Sequence, residues 1–389
     1  MTHSTKESST KADPVFSIQK VDSYEGFLAL EREWKDLQAP LALANLGSSF
    51  DVLNSLFKTI GLTEDNVFGY QQKLRILLVR NSDNRIVAIA PLVKVLRDRK
   101  VGPFTKAISS IEFLGHPSMH VFFRFFRTWL TKEPGVNLTK AIIDWLYANE
   151  TFDVVHLAFI HETEKEHFPE SAKYCVATNP SSIVEIGNFS DFDAYARLTL
   201  GRSLKQNLRT TVNRCAKMGV QIKTSRELVD ANSLQKISQL TEFTPDGWSY
   251  REGGFDAFRQ DLCLSHKAEV VFVYVDGEPQ AYRLYVHYGG GKFEIETMVH
   301  MKYRQLGLGA QMIEGSIRAS FDDQLSEHCE GLFGGFHTQR FSSRELNVYK
   351  YLRAGNTFCA QAADSLLNMA KFGIQDVQKI ASPSYARKL

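Results

Sequence analysis

Between Lys292 and Asp322 the chain reads KFEIETMVH, MKYRQLGLGA and QMIEGSIRASFDD. Within it, Arg304-Gln305-Leu306-Gly307-Leu308-Gly309 is an Arg-x-x-Gly-x-Gly run. It lies between an expected strand, Lys292 to Val299, and an expected helix, Ala310 to Asp322. Glycine permits positive φ and close approach of a ligand to the backbone. The start of the helix adds unpaired N–H groups and the positive end of its dipole. Together these suit a pyrophosphate, and Arg304 contributes a permanent cation. Two other phosphate loops are excluded. A Walker loop needs Gly-Lys-Ser/Thr, which does not follow, and a dinucleotide loop needs glycine where Met312 stands. The ordinary alternative is a strand-to-helix turn capped by glycines.

Other stretches carry weaker chemistry. The helix expected over Arg202 to Lys217 places Leu204, Leu208, Thr211 and Cys215 on one face and Arg202, Lys205, Arg209 and Asn213 on the other. Arg202, Lys205 and Arg209 form a basic strip suited to an anionic or phosphorylated acceptor, or simply a solvated face. His161-Glu162-Thr163-Glu164-Lys165 misses the H-E-x-x-H zinc signature, because Lys165 replaces the second histidine. No metal site is expected. The aromatic run Phe122 to Trp129 reads as core, as an acceptor wall or as a membrane-touching patch.

The 389 residues are 43% hydrophobic and 23% charged, with 46 Lys+Arg against 44 Asp+Glu, a net charge of +2. That is a folded composition with room for two or three domains. It is not the strongly basic composition of a DNA-binding protein. The five cysteines are scattered without a CxxC pair, which fits buried thiols in a reducing cytoplasm. Residues 1–14 read as a disordered tail rather than a signal peptide. No run reaches the length of a membrane span.

The elements that would position the glycine run come in two similar sets. In the first half, strand Phe16 to Val21 leads to helices Tyr24 to Leu37 and Phe50 to Ile60. A hairpin then joins Leu74 to Arg80 with Arg85 to Leu96. A third strand, Ile108 to Leu114, a helix, Leu138 to Ala148, and a strand, Phe152 to Ile160, complete it. In the second half, strand Ser182 to Ile186 leads to a helix, Asp191 to Met218, breaking near Gly201. Strand Val220 to Thr224 and helices Ala231 to Phe243 and Phe255 to Ser265 follow. Ala268 to Val275 and Pro279 to Tyr288 are tied by Asp276-Gly277, a strong hairpin signal. Strand Lys292 to Val299 and helix Ala310 to Asp322 precede an expected strand, Gly331 to Phe336, and an expected helix, Ser343 to Leu352. The fold class is therefore mixed α+β, in two tandem units, each a twisted, mostly antiparallel sheet flanked by helices. The expected division is 15–175 and 176–389.

On a flat strand, alternation puts Glu294 and Glu296 on one face and Phe293, Ile295 and Thr297 on the other.

An Arg-x-x-Gly-x-Gly run after the last strand of a meander resembles the acyl-CoA motif of the GNAT acyltransferases. The whole chain, over about residues 16 to 360, is similar to the CelD-type acetyltransferases associated with bacterial polysaccharide biosynthesis. These resemble the Fem-type transferases in having two GNAT-like halves. The resembling segments are Trp34-Lys35-Asp36-Leu37, Leu74 to Val79, Ile86 to Leu92, Phe113-Leu114-Gly115, Leu204 to Arg209 and Tyr349-Lys350. The Gly-Asp/Glu-rich turn usual before the Tyr-Lys pair is replaced by His337 to Glu345. The resemblance implies an acyl-CoA-dependent N- or O-acyltransferase, with acetyl-CoA or another acyl-CoA as co-substrate and no metal. The acceptor would be a small molecule, a sugar or a nucleotide-linked precursor. Met298, Val299, Arg304, Gln305, Leu306, Gly307, Leu308, Gly309 and Ala310 would hold the acyl-CoA. Glu296 would deprotonate the acceptor and Tyr349 would protonate the departing thiolate. The alternatives are a Fem-like transferase using aminoacyl-tRNA and a degenerate GNAT fold serving as a binding module. The first half has no glycine run and would shape the acceptor cleft.

Overall fold

Asp276 and Gly277 take φ values of 52° and 90°. That pair of left-handed residues makes the tight turn whose twist matches antiparallel strands, here Ala268–Val275 and Glu278–Tyr288. The computed structural model describes residues 16–38, 43–61, 70–101, 104–115, 125–132, 134–241, 255–332, 336–355 and 357. The expected tail, the end of helix Ala231 to Phe243, residues 122–124 and Cys359 lie outside them.

The hairpin is the middle of a seven-stranded sheet. Its order is Ile222–Leu228, Ala268–Val275, Glu278–Tyr288, Gly291–Val299, Glu327–Cys329, Ser181–Val184 and Arg344–Leu346. All neighbours are antiparallel except Gly291–Val299 with Glu327–Cys329, which run parallel. Helix Leu308–Asp322 covers one face together with Phe192–Leu198 and Arg202–Lys217. Helices Ala231–Thr241 and Phe255–Ser265 cover the other. The break expected near Gly201 lies between Leu198 and Arg202. Leu204, Leu208, Thr211 and Cys215 are the buried residues of the second piece, as their spacing predicts.

The first half repeats this plan. A six-stranded sheet has the order Tyr70–Leu74, Leu92–Val101, Phe104–Phe113, Val154–His161, Val348–Ala354 and Cys175–Ala177. Its one parallel pair is Phe104–Phe113 with Val154–His161. A four-stranded sheet, Ser17–Val21, Ile76–Arg80, Ile86–Ala90 and Leu130–Thr131, continues the long hairpin past kinks at Arg75 and Pro91. The predicted helix Tyr24 to Leu37 is two helices, Tyr24–Leu28 and Glu31–Gln38.

Four sequence expectations are corrected. Residues 343–352 are not a helix but the strands Arg344–Leu346 and Val348–Ala354. The second of these crosses over to the first-half sheet, so pairing with distant residues overrides a weak local preference. The strand expected at Gly331 to Phe336 lies earlier, at Glu327–Cys329. It ends before Gly331, which turns with φ 76°; residues 333–335 lie outside the described set. The helix expected from Ala310 starts at Leu308, with Gly307 in the left-handed region before it. The expected division at 175/176 falls inside the strand Cys175–Ala177 of the first-half sheet.

Candidate active site

The parallel pair in the second half is short. Gly291, Lys292 and Phe293 face Glu327, His328 and Cys329, and then the strands part. Beyond Phe293, the arm Glu294 to Val299 is paired on its other side with Glu278–Tyr288. The opposing arm bends toward Ser181–Val184. There the Glu330 N–H donates to the Ser182 carbonyl at 3.0 Å, and the Ser181 hydroxyl donates to the Gly331 carbonyl at 2.7 Å. The result is a fork with one sheet edge facing it.

A bulge sets which side chains reach the fork. Tyr285 opposes Glu294 but Leu284 opposes Glu296, leaving Ile295 as the extra residue. A bulge of this kind re-aims the side chains that follow it. Glu294 and Glu296 therefore lie on opposite faces, correcting the flat-strand expectation. Glu296 points to the face covered by Phe255–Ser265. Its carboxylate accepts from Arg259 Nη1 at 3.2 and 3.3 Å and from the Tyr282 hydroxyl at 2.5 Å. Both partners are fully buried, so this carboxylate has the surroundings of a structural ion pair.

Glu294 points to the helix Leu308–Asp322 side and into the fork. A Cβ on Gly331 would meet its Oε2, so the carboxylate reaches right up to this turn, whose φ of 76° favours glycine. Arg283 Nη2 stands 3.9 Å from Glu294 and also pairs with Glu330. Glu330 lies 2.5 Å from His328 Nε2, and His328 Nδ1 lies 2.8 Å from the Ser320 hydroxyl. Burial pushes the Glu294 carboxyl up, to about 7; Arg283 pulls it down and Glu330 adds to the rise. Burial also pushes Glu330 up, but the charges of Arg283 and His328 outweigh it and hold that carboxylate below its usual range. The two acids are thus driven apart, one titrating near pH 7 and one ionised there. Burial pushes the Cys329 thiol up to about 12, which removes it as a nucleophile at neutral pH.

The glycine run stands at the outer end of the same arm. Met301–Leu306 forms a short 3-10 helix, Gly307 takes φ 76°, and Leu308–Asp322 starts at once. As first-turn residues, Leu308 and Gly309 have N–H groups without helical acceptors. A Cβ on Gly309 would meet nothing within 4 Å, whereas one on Gly307 would lie 3.0 Å from Thr211 Oγ1. Arg304 and Gln305 are exposed, Leu306 and Leu308 are buried, and Ala310 is half-buried. Met298 is buried toward the Phe255–Ser265 face and Val299 packs toward the Leu308–Asp322 face. Helix Arg202–Lys217 borders the run, with Gln311 Nε2 donating to the Leu208 carbonyl at 3.0 Å. Arg202 and Arg209 are exposed on it, and Lys205 is half-buried.

The structure does not bring Tyr349 to this fork. It lies on Val348–Ala354, paired with Ile160 and Ala177. Its ring packs against the first-half core under the Lys165 ammonium, 5.0 Å away. The residues that sequence reasoning missed are Arg283, His328 and Glu330. No motif marks them, since the bulge and the fork are what bring them together. A second ionic cluster, Glu269 with Lys292 and Arg226 at 2.7 Å each, joins the sheet to the end of helix Leu308–Asp322 through Asp323. Burial pushes Glu269 up, but nearby His287, the hydrogen-bonded Lys292 ammonium and the Arg226 guanidinium outweigh it and bring it down to about 2.

The first half has its own fork. Ser110, Ile111 and Glu112 face Val154, Val155 and His156 before those strands part. Here Arg127 fills the gap. Its N–H donates to the Phe159 carbonyl on one arm at 3.0 Å. Its guanidinium donates to the Leu114 carbonyl at 3.3 Å, to the Gly115 carbonyl on the other arm, and to the Phe125 carbonyl at 3.0 Å.

Two sheets, each with a meander ending in a forked parallel pair, define a mixed α+β fold of two tandem GNAT-like halves. Among solved structures the chain is similar to FemX, at 10% identity and TM-score 0.50, over 85% of this chain and 96% of that one. At that identity the likeness is one of fold. A conserved protein of unknown function from Bacteroides thetaiotaomicron VPI-5482 matches at 11% identity and TM-score 0.49, over 86% of this chain and 99% of that one. A tandem GNAT protein from the clavulanic acid biosynthesis pathway matches at 10% and 0.47, over 88% and 99%. No protein-family model and no curated protein matches the sequence. Among the described residues no helix is long and apolar enough to cross a membrane.

Proposed function

We propose that the protein is an acyltransferase that draws its acyl group from acyl-CoA held in the second-half fork. The observation that carries this reading is the alignment of three features along one arm. These are the open helix start at Gly307 to Gly309, the sheet edge beyond Phe293, and the Glu294 carboxyl with its near-neutral pKa. The pyrophosphate would meet the Leu308 and Gly309 amides, with Arg304 beside it. The pantetheine amides would pair with the unzipped edge near Met298 and Val299, bringing the thioester toward Glu294. The acceptor, a small molecule or sugar-linked precursor as in CelD-type enzymes, would pass the strip Arg202, Lys205 and Arg209.

Glu294, rather than Glu296, takes the acceptor's proton. Its pKa near 7 suits a base that must accept and release a proton at neutral pH. The acceptor lone pair attacks the thioester carbon and the C–S bond breaks. The CoA thiolate leaves and takes a proton from water, and Glu294 returns its proton to solvent. Backbone N–H groups at the fork stabilise the tetrahedral oxyanion. Tyr349 has no part in this sequence.

A thermal-shift panel of acetyl-CoA, longer acyl-CoAs and free CoA tests the donor. A ligand at 100 times its dissociation constant stabilises the fold by about 2.7 kcal/mol. Stabilisation by acyl-CoA that is lost in Gly307→Asp supports the reading. No response to any CoA, with a response to aminoacyl-tRNA, overturns it in favour of the Fem-like donor. The net charge of +2 favours CoA over a polyanion such as tRNA.

A further inference from the structure

We infer that Glu330 is a positioning residue for the open fork: it captures Arg283 and so keeps that cation from locking Glu294 into an ion pair. The inference rests on the reading of Glu294 as the group that takes the acceptor's proton. Arg283 stands opposite Thr297, and Tyr285 stands opposite Glu294. Residues directly opposite share a face, so the bulge at Ile295 puts Arg283 on the same side of the sheet as Glu294. The guanidinium thus lies between two acids, one from each arm of the fork. Its Nη2 forms an ion pair with Glu330 Oε2 but stands 3.9 Å from Glu294 Oε2, too far for a hydrogen bond.

The anchoring of Glu330 fixes this choice. Its main-chain N–H is held by the Ser182 carbonyl at 3.0 Å. Its Oε1 takes His328 Nε2 at 2.5 Å and the Tyr285 hydroxyl at 3.4 Å. His328 Nδ1 is in turn 2.8 Å from the Ser320 hydroxyl of helix Leu308–Asp322. All three of these residues, Glu330, His328 and Ser320, are buried. The other titratable groups around the fork do not substitute for Glu330. Burial and then the charge of Glu330 push up the hydroxyls of Tyr285 and of Tyr195, from helix Phe192–Leu198, so both stay neutral. Burial lowers His328, which is neutral as well. Glu296 is tied to Arg259 on the opposite face, Lys292 to Glu269, and Glu314 to Arg318. An arginine stays charged, and a buried charge needs a partner. With Glu330 neutralised, Arg283 has Glu294 as its remaining acid, about 1 Å beyond the length of a charged hydrogen bond.

Titration of the side-chain carboxyls by ¹³C NMR tests the clamp without donor or acceptor. In the unaltered protein Glu330 is expected to stay ionised across neutral pH while Glu294 titrates near 7. In Glu330→Gln the Glu294 midpoint is expected to fall by about one pH unit or more, the usual effect of an adjacent arginine. The rise of kcat/KM with pH should move down by the same amount. A Glu294 midpoint that is unchanged or raised in Glu330→Gln overturns the assignment. If that variant does not fold, the unaltered protein decides: Glu330 titrating near 7 beside an ionised Glu294 overturns it, and the expected order supports it. A lowered midpoint in a protein that transfers no acyl group from any acyl-CoA leaves the clamp standing and counts against acyl transfer alone.

Discussion

The two forks begin alike and end differently. Each opens after three paired residues of a parallel ladder, Ser110 to Glu112 in the first half and Gly291 to Phe293 in the second. In the first, Arg127 bridges both arms, its main chain on Phe159 and its side chain on Leu114 and Gly115. In the second, Glu294 projects into the gap, and a glycine run follows at the outer end of its arm. The first fork is closed by bonds from its own chain, and the second leaves its backbone for a ligand. One fold repeated thus yields a scaffold and a site. The two meet at Phe293, the last paired residue of the second fork, whose ring lies 5.6 Å from Phe125 and 6.2 Å from Phe126 beside the first-fork plug.

The largest effect should come from removing the acid in the open fork. Glu294→Gln keeps size and polarity but cannot accept the proton, so turnover on the true acceptor should fall by about 10²- to 10⁴-fold. In the unaltered enzyme kcat/KM should rise with pH through about 7 as Glu294 ionises. The same group sets a stability slope. Its folded pKa of about 7 lies above the ordinary value of 4.5, so the folded state binds more protons across that window. Stability is therefore lost as pH rises from about 5 to about 8. Chemical denaturation should show Glu294→Gln gaining on the parent as pH rises; a constant difference would contradict the raised pKa.

Breaking the closed fork should cost stability rather than turnover chemistry. Arg127→Met leaves the Leu114, Gly115 and Phe125 carbonyls without their donor, at about 3 kcal/mol in urea unfolding. It should not create a second acyl-CoA site, because the first half has no glycine run. Calorimetry should give one acyl-CoA per chain, and two equivalent sites would erase the distinction between the forks. Next in size, Gly307→Asp places an anion beside the pyrophosphate and should weaken acyl-CoA at least tenfold, about 1.4 kcal/mol. The smallest effect should be that of Tyr349→Phe, with kcat unchanged; a large loss would bring the first-half sheet into the chemistry.

Local signals carried much of the architecture. Asp276-Gly277 and the break at Gly201 were readable because turn and helix punctuation is local. Glu294 was legible only as half of an alternating pair, since nothing in Phe293-Glu294-Ile295-Glu296 marks Ile295 as a bulge. That irregularity arises from pairing with Glu278–Tyr288. Tyr349 was misplaced for a similar reason. Val-Tyr-Lys-Tyr-Leu-Arg-Ala becomes a strand through partners at 154–161 and 175–177. Arg127 was readable as part of an aromatic run, but its role depends on carbonyls contributed by both arms of the fork.

The crossover of Val348–Ala354 has a consequence for the order in which the chain can fold. This strand sits between Val154–His161 and Cys175–Ala177 in the first sheet, yet it is made nearly last of all the described elements. During synthesis at about 5–20 residues per second, Val154–His161 waits many seconds for its neighbour, presenting an unpaired edge of apolar residues. Such an edge is a template for wrong pairing, and closing so long a loop is slow. The first half is therefore begun first and finished last. Ribosome-bound chains ending before Val348 should be protease-sensitive at residues 154–161, and those carrying Ala354 clear of the exit tunnel should be protected.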